Sequence, residues 1–340
     1  MKQAAIVAVE YHLPAETVSS ERLAAEFPEW SVSKIDEKTG IGERHIAADG
    51  ECASDLAVEA ARKLFATGAC QPADIDYILF CTQSPDYFLP TTACTIQDRL
   101  GIPQSAGAID YNLGCSGFVG GLGLAKGLIE TGQASKILLL TAETYSKFLN
   151  RRDKSVRTIF GDAGAATLVA ALESAAGPYI GPLVYGTDGS GAGNLIVRTG
   201  GMREPRTVES AVEREEESGN FRSRDNLFMN GAEIFSFTLR VIPQSVKDLL
   251  ERAGIGMDAV DLFVFHQANQ YMLEHLRKRL KIPEDKFLIS MRSCGNTVSC
   301  TIPIALRNAR QNGKIKSGDL VMLVGFGVGY SWASALIRWP

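Results

Sequence analysis

Apolar positions along this chain of 340 residues fall into two series that follow the same plan. The first opens with Asp74-Ile75-Asp76-Tyr77-Ile78-Leu79-Phe80-Cys81 and runs through a helical stretch to Leu100-Gly101-Ile102-Pro103. It turns at Gly114-Cys115-Ser116-Gly117, enters a second helix that stops at Gly132-Gln133, and closes on an apolar strand from Lys136 to Thr141. The second series opens with Asp258-Ala259-Val260-Asp261-Leu262-Phe263-Val264-Phe265-His266 and runs to Leu280-Lys281-Ile282-Pro283. It then turns at Cys294-Gly295-Asn296, continues as a helix to Asn312-Gly313, and ends on a strand from Asp319 to Val324. Asp76 and Asp261 are 185 positions apart and Pro103 and Pro283 are 180 apart, a difference that fits a longer loop at Ser84 to Pro90. Continuous apolar runs of this kind are buried strands, and their alternation with helices predicts a layered α/β fold of two similar halves related by a pseudo-twofold axis.

The halves are placed at residues 1–180 and 226–340, with a connecting region at 181–225. That region is glycine-rich and then strongly charged (Glu213-Arg214-Glu215-Glu216-Glu217), which predicts an exposed loop or lid with a solvated face. Gly189-Ser190-Gly191-Ala192-Gly193 lacks the sixth-position glycine of a dinucleotide loop and has no clear helix after it, so it reads as a flexible loop. Ala53 to Phe65 reads as an amphipathic helix with Ser54 as N-cap and Gly68 as its stop. Phe235 to Ala253 reads as another, kinked by Pro243 or starting there. The six-residue apolar run that ends at Glu10 is too short for a signal peptide and is taken as a first strand.

A net charge of −4 offers nothing to nucleic acid, and the most apolar tail, Val321 to Ile337, is interrupted by Gly325, Gly327 and Gly329, so no membrane span is expected. Seven cysteines without a Cys-x-x-Cys pair, with only four histidines, argue against a metal site and for reduced thiols in a cytoplasm.

The candidate chemistry starts at Cys115. It sits where a buried strand turns into a helix whose apolar positions are Phe118, Leu122, Leu124, Leu128 and Ile129. Free backbone N–H groups and the positive end of a helix dipole favour a thiolate there, so Cys115 is expected to be a nucleophile that carries an acyl group. Taken alone, it is also the kind of small residue that cores bury. His266 ends an apolar strand and Asn296 follows a glycine; alone, these read as a hydrogen-bonded core histidine and a turn former. Their matched places in the two halves are what set them opposite Cys115: Cys115 corresponds approximately to Gly295-Asn296, and Cys81 to His266. His12, His45 and His275, together with Cys81, Cys94, Cys294 and Cys300, read as structural.

Gly114-Cys115-Ser116-Gly117-Phe118, His266-Gln267-Ala268-Asn269 and Gly295-Asn296-Thr297 together resemble the three active-site motifs of the β-ketoacyl-acyl carrier protein synthase III family. Thr39-Gly40-Ile41, Glu43-Arg44-His45-Ile46, Phe160-Gly161-Asp162 and Gly325-Phe326-Gly327 with Trp332 add to the resemblance, which covers nearly the whole chain in order and spacing. It implies the thiolase-like fold, a homodimer, acyl carrier protein as partner, and substrates carried on coenzyme A or on phosphopantetheine. The implied reaction is decarboxylative condensation of an acyl thioester with malonyl on the carrier. Cys115 is then the acyl-bearing nucleophile, while His266 and Asn296 are neutral donors to the enolate oxygen. A second oxyanion hole would use the backbone N–H groups of Cys115 and Val328.

Some positions depart from the family pattern. The tryptophan and arginine that clamp adenine fall on Lys34 and Lys154, with Trp30 four residues off; a lysine can hold a phosphate but does not stack. A donor on carrier-bound phosphopantetheine therefore becomes the expectation, with Lys34, Lys38, Lys154 and Asn269 as binding candidates. The carrier-docking arginine is replaced by Tyr271, for which Arg277 and Arg279, with Lys278 between them, are substitutes or a solvated face. The acyl-pocket gate is Leu89 before Pro90, beside Phe88, a smaller gate that suits a longer acyl group and a specialised lipid or natural-product pathway. Two rivals keep the fold: acyl transfer to an alcohol or amine with His266 as general base, and a non-catalytic partner subunit of a heteromeric synthase.

Overall fold

The computed structural model of the chain describes residues 2–174 and 178–340. Two sheets share one strand order. In the first half the order is Lys2–His12, Ala163–Glu173, Lys136–Glu143, Tyr77–Cys81 and Gly107–Tyr111. In the second it is Ile180–Thr187, Ser331–Arg338, Leu320–Gly327 and Leu262–Phe265. The senses match as well: two antiparallel pairings are followed by a parallel one in each half. The fifth strand of the first sheet has a one-residue remnant in the second, a parallel bridge between Phe263 and Phe287. The duplication read from the apolar series is therefore a duplication of fold.

Lys136–Glu143 and Leu320–Gly327 are buried at every position after the first because helices cover both of their faces. Helices Gly117–Glu130 and Thr301–Gln311 lie between the sheets, where Phe118, Leu122 and Ile129 share one core with Val264, Ile302, Leu306 and Leu323. Ala53–Ala66 and Thr92–Leu100 cover the outer face of the first sheet, and Gly231–Ala253 and Gln270–Leu280 that of the second. The result is five alternating layers. Leu124, expected on the apolar stripe of the central helix, instead faces outward at 46% exposure.

The local readings need four corrections. Cys52, not Ser54, occupies the N-cap of Ala53–Ala66; the Ser54 hydroxyl donates to Asp86 and accepts from Arg99. The long helix begins at Gly231, where the Asn230 side chain accepts the Glu233 N–H, and Pro243 lies inside it. The stretch taken as a connecting loop from 181 opens in strand Ile180–Thr187, which belongs to the second sheet. Its Gly189–Asn194 portion is a 3₁₀ turn capped by Asp188 rather than a flexible loop. Among the described residues no helix is long and apolar enough to cross a membrane.

Candidate active site

Cys115 lies between the Gly107–Tyr111 strand and the Gly117–Glu130 helix, on a turn closed by the Gly117 N–H on the Gly114 carbonyl at 2.8 Å. The turn is packed too tightly for side chains around it. A Cβ on Gly117 would stand 2.3 Å from Cys81 Sγ, so Cys81, donating to the Leu113 carbonyl, packs beneath the Cys115 turn. From the second half, a Cβ on Gly325 would stand 2.8 Å from the Cys115 carbonyl oxygen, and one on Gly327 would stand 2.9 Å from Cys115 Sγ. The glycines admit the end of strand Leu320–Gly327 against the reactive sulfur. A buried pair, Ser116 Oγ and Ser331 Oγ at 2.7 Å, ties the turn to the following strand, and Ser331 donates to the Val328 carbonyl. This is the segment expected to supply the second backbone oxyanion donor.

His266 follows strand Leu262–Phe265, with its N–H on the Val324 carbonyl at 2.8 Å. The neighbouring Gln267 is buried and fixed by the Phe265 and Leu288 carbonyls and by the Ser290 N–H. The His266 ring is buried, meets Phe326 edge-on at 5.5 Å, and has Thr301 Oγ1 2.7 Å from Nδ1. Burial pushes its pKa down to about 3, so it is neutral at any ordinary working pH. The consecutive residues Phe326 and Gly327 thus touch His266 and Cys115 in turn.

Asn296 is set by the first half. Its N–H donates to the Ile159 carbonyl at 3.0 Å, and its own carbonyl accepts the Gly161 N–H at 3.1 Å. Gly295 takes φ +71°, and Gly161 passes the Cys294 carbonyl where a Cβ would be 2.5 Å away. The neighbouring Asp162 carboxylate accepts from the Ala47 and Ser146 N–H groups, and the buried Arg44 donates to the Thr158 carbonyl. Those contacts give the Phe160-Gly161-Asp162 and Glu43-Arg44-His45 motifs their task of holding the asparagine turn. The side-chain oxygen of Asn296 accepts the Val298 N–H at 2.9 Å, which fixes the amide so that its NH₂ faces the Ala268 carbonyl and the site. Val298 takes φ +55°, a strained conformation for a β-branched residue, and packs in the same apolar cluster as Cys115.

The helix starts refine the match between halves. Ser116 and Cys300 are the N-caps of the two central helices, so Cys115 corresponds to Ser299, and Asn296 reaches the site from three residues earlier. Ser299 leads to a residue that the sequence reading missed. Its hydroxyl donates to Glu143 at 3.0 Å, and Glu143 also accepts from the Gln83 N–H and the Ser84 hydroxyl. Glu143 is fully buried and burial raises its pKa to about 8. Its signal in the sequence was a carboxyl closing the apolar run Ile137–Ala142. Burial drives the Cys115 thiol well above the ordinary cysteine range and the neighbouring Glu143 adds to this, against the opposing pull of Cys115's own N–H. The expectation of a resting thiolate is corrected on this ground: desolvation outweighs the helix end, and the thiol is the resting form.

Tyr145, Val156, Phe160 and Val298 wall the site together with Leu195 and Leu227. Leu195 pairs through strand Leu195–Ile196 with Phe228–Met229, so the region read as a solvated lid places apolar side chains in the cluster that holds Cys115. Its contacts to the first half include Arg222 with Asp153 at 3.3 Å.

The binding candidates divide. Lys34 and Lys38 lie over the Trp30 ring at 5.3 and 4.8 Å, and Lys154 pairs with Glu29 at 2.7 Å, so the three lysines form one patch around Trp30 and Glu29. Asn269 is the N-cap of Gln270–Leu280, and Arg277 is held by Glu274 at 2.8 Å; the structure gives both a structural task, while Arg279 is exposed. Tyr271 is half exposed and packs on His275 at 4.2 Å. Phe88 and Leu89 project from the chain at 80% and 81% exposure and are not brought onto Cys115 within the single chain. A cleft of about 630 Å³, unforeseen from sequence, opens between Phe160 and the cations Arg22, Lys147, Arg151 and Arg157.

Family models match at residues 109–189, as 3-oxoacyl-[acyl-carrier-protein] synthase III, and at residues 250–339, as the C-terminal part of the same synthase. The β-ketoacyl-[acyl-carrier-protein] synthase III of Caldanaerobacter subterraneus subsp. tengcongensis is 37% identical, with 99% of this chain and 98% of that protein covered. A crystal structure of a 3-oxoacyl-(acyl-carrier-protein) synthase III is similar at TM-score 0.98 and 54% identity, covering 99% of this chain and 100% of that one. The Burkholderia xenovorans LB400 3-oxoacyl-(acyl-carrier protein) synthase is similar at TM-score 0.89 and 35% identity, covering 100% and 95%.

Two outcomes are expected of variants here. Gly327→Ala places a methyl against Cys115 Sγ and is expected to slow acylation of Cys115 by about 10²-fold, read by intact mass, with the far-ultraviolet spectrum unchanged. Glu143→Gln tests the buried carboxyl. Because the folded pKa, about 8, lies above the ordinary value of 4.5, the unfolded chain releases this proton first, and stability falls as pH rises between those values. Relative to the parent, the variant is therefore expected to gain melting temperature steadily from pH 5 to pH 8. It is also expected to alkylate faster at Cys115 at pH 9, where Glu143 is ionised in the parent, and equally at pH 6.5.

Proposed function

The chain belongs to the 3-oxoacyl-[acyl-carrier-protein] synthase III family, and we propose that it condenses an acyl thioester with malonyl-acyl carrier protein through an acyl group held on Cys115. The observation that carries this reading is electrical neutrality. Burial drives the Cys115 thiol and the His266 ring to neutral forms. The consecutive residues Phe326 and Gly327 touch His266 and Cys115, and Val298, whose N–H holds the Asn296 amide, packs in one cluster with Cys115. In the first half-reaction the Cys115 sulfur attacks the thioester carbonyl as His266 takes the thiol proton. The tetrahedral oxygen is received by backbone N–H groups of Cys115 and Val328, and collapse breaks the old thioester bond and releases the pantetheine thiol with that proton. In the second, malonyl loses CO₂ and the thioester oxygen takes up negative charge. Neutral donors gain most in strength at that moment because they are buried, and removal of one such donor costs about 10²–10³ in rate. The enolate carbon then attacks the acyl-Cys115 carbonyl, forms the carbon–carbon bond and expels the cysteine sulfur.

The donor we infer is carried on phosphopantetheine of a carrier protein. Lys34 and Lys38 lie over the Trp30 ring, and Lys154 is paired with Glu29, so the residues at the adenine-clamp positions already have partners within the chain. In the cleft beside Phe160, Arg22 and Arg157 pair with Glu26, and Lys147 and Arg151 are the cations we assign to the phosphate end of the arm. A homodimer is supported by the Gly107–Tyr111 strand, an unpaired sheet edge with Ile109 exposed, and by the neighbouring exposed Tyr87, Phe88 and Leu89. On this reading Phe88 and Leu89 act in an acyl pocket completed by a second copy. All seven cysteines are free, which suits a reducing cytoplasm.

The test is intact-mass spectrometry on the protein and its Cys115→Ala variant after exposure to a panel of acyl-coenzyme A and acyl-carrier donors, followed by malonyl-carrier protein. An adduct that needs Cys115 and disappears as a ketoacyl-carrier product forms is the expected result. An adduct that malonyl never extends would move the assignment to simple acyl transfer, and no adduct from any donor would leave a non-catalytic partner subunit.

A further inference from the structure

Which task His266 can perform depends on which ring nitrogen carries its proton, and one side chain governs that. Thr301 Oγ1 lies 2.7 Å from His266 Nδ1 and is the ring's hydrogen-bond partner among the described residues. The same oxygen lies 3.0 Å from the Val298 carbonyl oxygen. A threonine hydroxyl has one hydrogen and can accept as well as donate. With that hydrogen on the Val298 carbonyl, Thr301 accepts from Nδ1–H, and Nε2 presents a lone pair. With the hydrogen turned to Nδ1, Thr301 donates, and Nε2 presents an N–H. A carbonyl in its place would hold only the first form, and a backbone N–H only the second.

Both groups are rigidly placed. Thr301 is the first residue of helix Thr301–Gln311 and is 3% exposed; His266 is 2% exposed, with its ring against Phe326. Val298, whose carbonyl offers the alternative acceptor, is held at φ +55° with its N–H on the Asn296 side chain. The turn that aims the Asn296 amide therefore also supplies the second resting place of the Thr301 hydrogen.

We propose that Thr301 is a positioning residue that keeps both neutral tautomers of His266 available, one for each half-reaction. This rests on the acyl-Cys115 reading above. During loading, the Nε2 lone pair takes the Cys115 thiol proton as the sulfur–carbon bond forms. It returns that proton to the departing pantetheine sulfur as the old thioester bond breaks, so His266 ends neutral as it began. During condensation, Nε2–H donates to the malonyl thioester oxygen while the bond to CO₂ breaks and its electron pair enters the enolate. No proton leaves His266 in that step, and the expelled Cys115 sulfur is reprotonated from water. Exchange between tautomers needs one proton lost to water and one gained from it, with no change of charge.

The experiment uses the full chain as parent, Thr301→Val and Thr301→Ser. Nitrogen-15 shifts of labelled imidazole, with His266 assigned by loss of its signals in His266→Ala, report the tautomer. Acyl adduct formation on Cys115, and CO₂ release from malonyl-carrier protein by the pre-acylated enzyme, report the two half-reactions separately. The parent and Thr301→Ser are expected to show averaged nitrogen shifts and rates within about threefold of each other. Thr301→Val is expected to collapse to one tautomer and to slow one half-reaction at least about tenfold more than the other. A parent held in a single tautomer overturns the proposal, as does a Thr301→Val variant that slows both half-reactions equally. The parent's shifts decide the matter even where the valine variant does not fold. Absence of any Cys115 adduct in the parent would instead sink the acyl-enzyme reading on which the proposal stands.

Discussion

Everything at this site depends on backbone of one half lying against backbone of the other with no side chain between them. Gly325 and Gly327 bring the end of strand Leu320–Gly327 onto the carbonyl and sulfur of Cys115, and Gly161 and Gly295 do the same where the asparagine turn meets residues 159–161. Central helices Gly117–Glu130 and Thr301–Gln311, packed in one core between the sheets, hold the halves at that distance. Such contacts allow little adjustment, because a densely packed interior transmits any displacement directly to its neighbours. In the duplicated fold the proposed nucleophile, Cys115, comes from one half and the proposed donors, His266 and Asn296, from the other.

Burial then decides the electrostatics. It raises the pKa of Cys115 and Glu143 and lowers that of His266, so all three are driven to their uncharged forms. A neutral site is poor at holding a charged ground state. It is well suited to a reaction whose charge appears only on an oxygen in the transition state, where fixed N–H dipoles need no reorganisation. Further charges lie on the Trp30 patch, in the cleft beside Phe160 and on the connecting region, while the buried Arg44 and Asp162 serve the asparagine turn.

The layered, duplicated fold was legible because strands covered on both faces leave continuous apolar runs, and the two series match landmark for landmark. The candidates Cys115 and His266 stand out because each follows an apolar run, and Asn296 because it follows a glycine at the matching place in the second series. Their register was less legible. The helix after Asn296 starts at Thr301 because a 3₁₀ turn and the left-handed Val298 intervene, and a β-branched residue carries no sign that it will adopt that conformation. The connecting region was misjudged because its charges dominate its composition, while Leu195 and Leu227, few and far apart, find their burial against residues distant in sequence, among them Cys115, Tyr145, Phe160 and Val298. The partnership of Lys154 with Glu29 spans 125 positions and has no local signature.

The central claim is that His266 and Asn296 act as neutral donors to the decarboxylation enolate. Its most direct measurement is CO₂ release from malonyl-carrier protein by enzyme already acylated on Cys115, compared among the parent, His266→Ala and Asn296→Ala. The account predicts that Asn296→Ala acylates Cys115 at close to the parent rate but loses CO₂ release by about 10²–10³-fold, and that His266→Ala loses CO₂ release at least as heavily. Decarboxylation at the parent rate in either variant would contradict it.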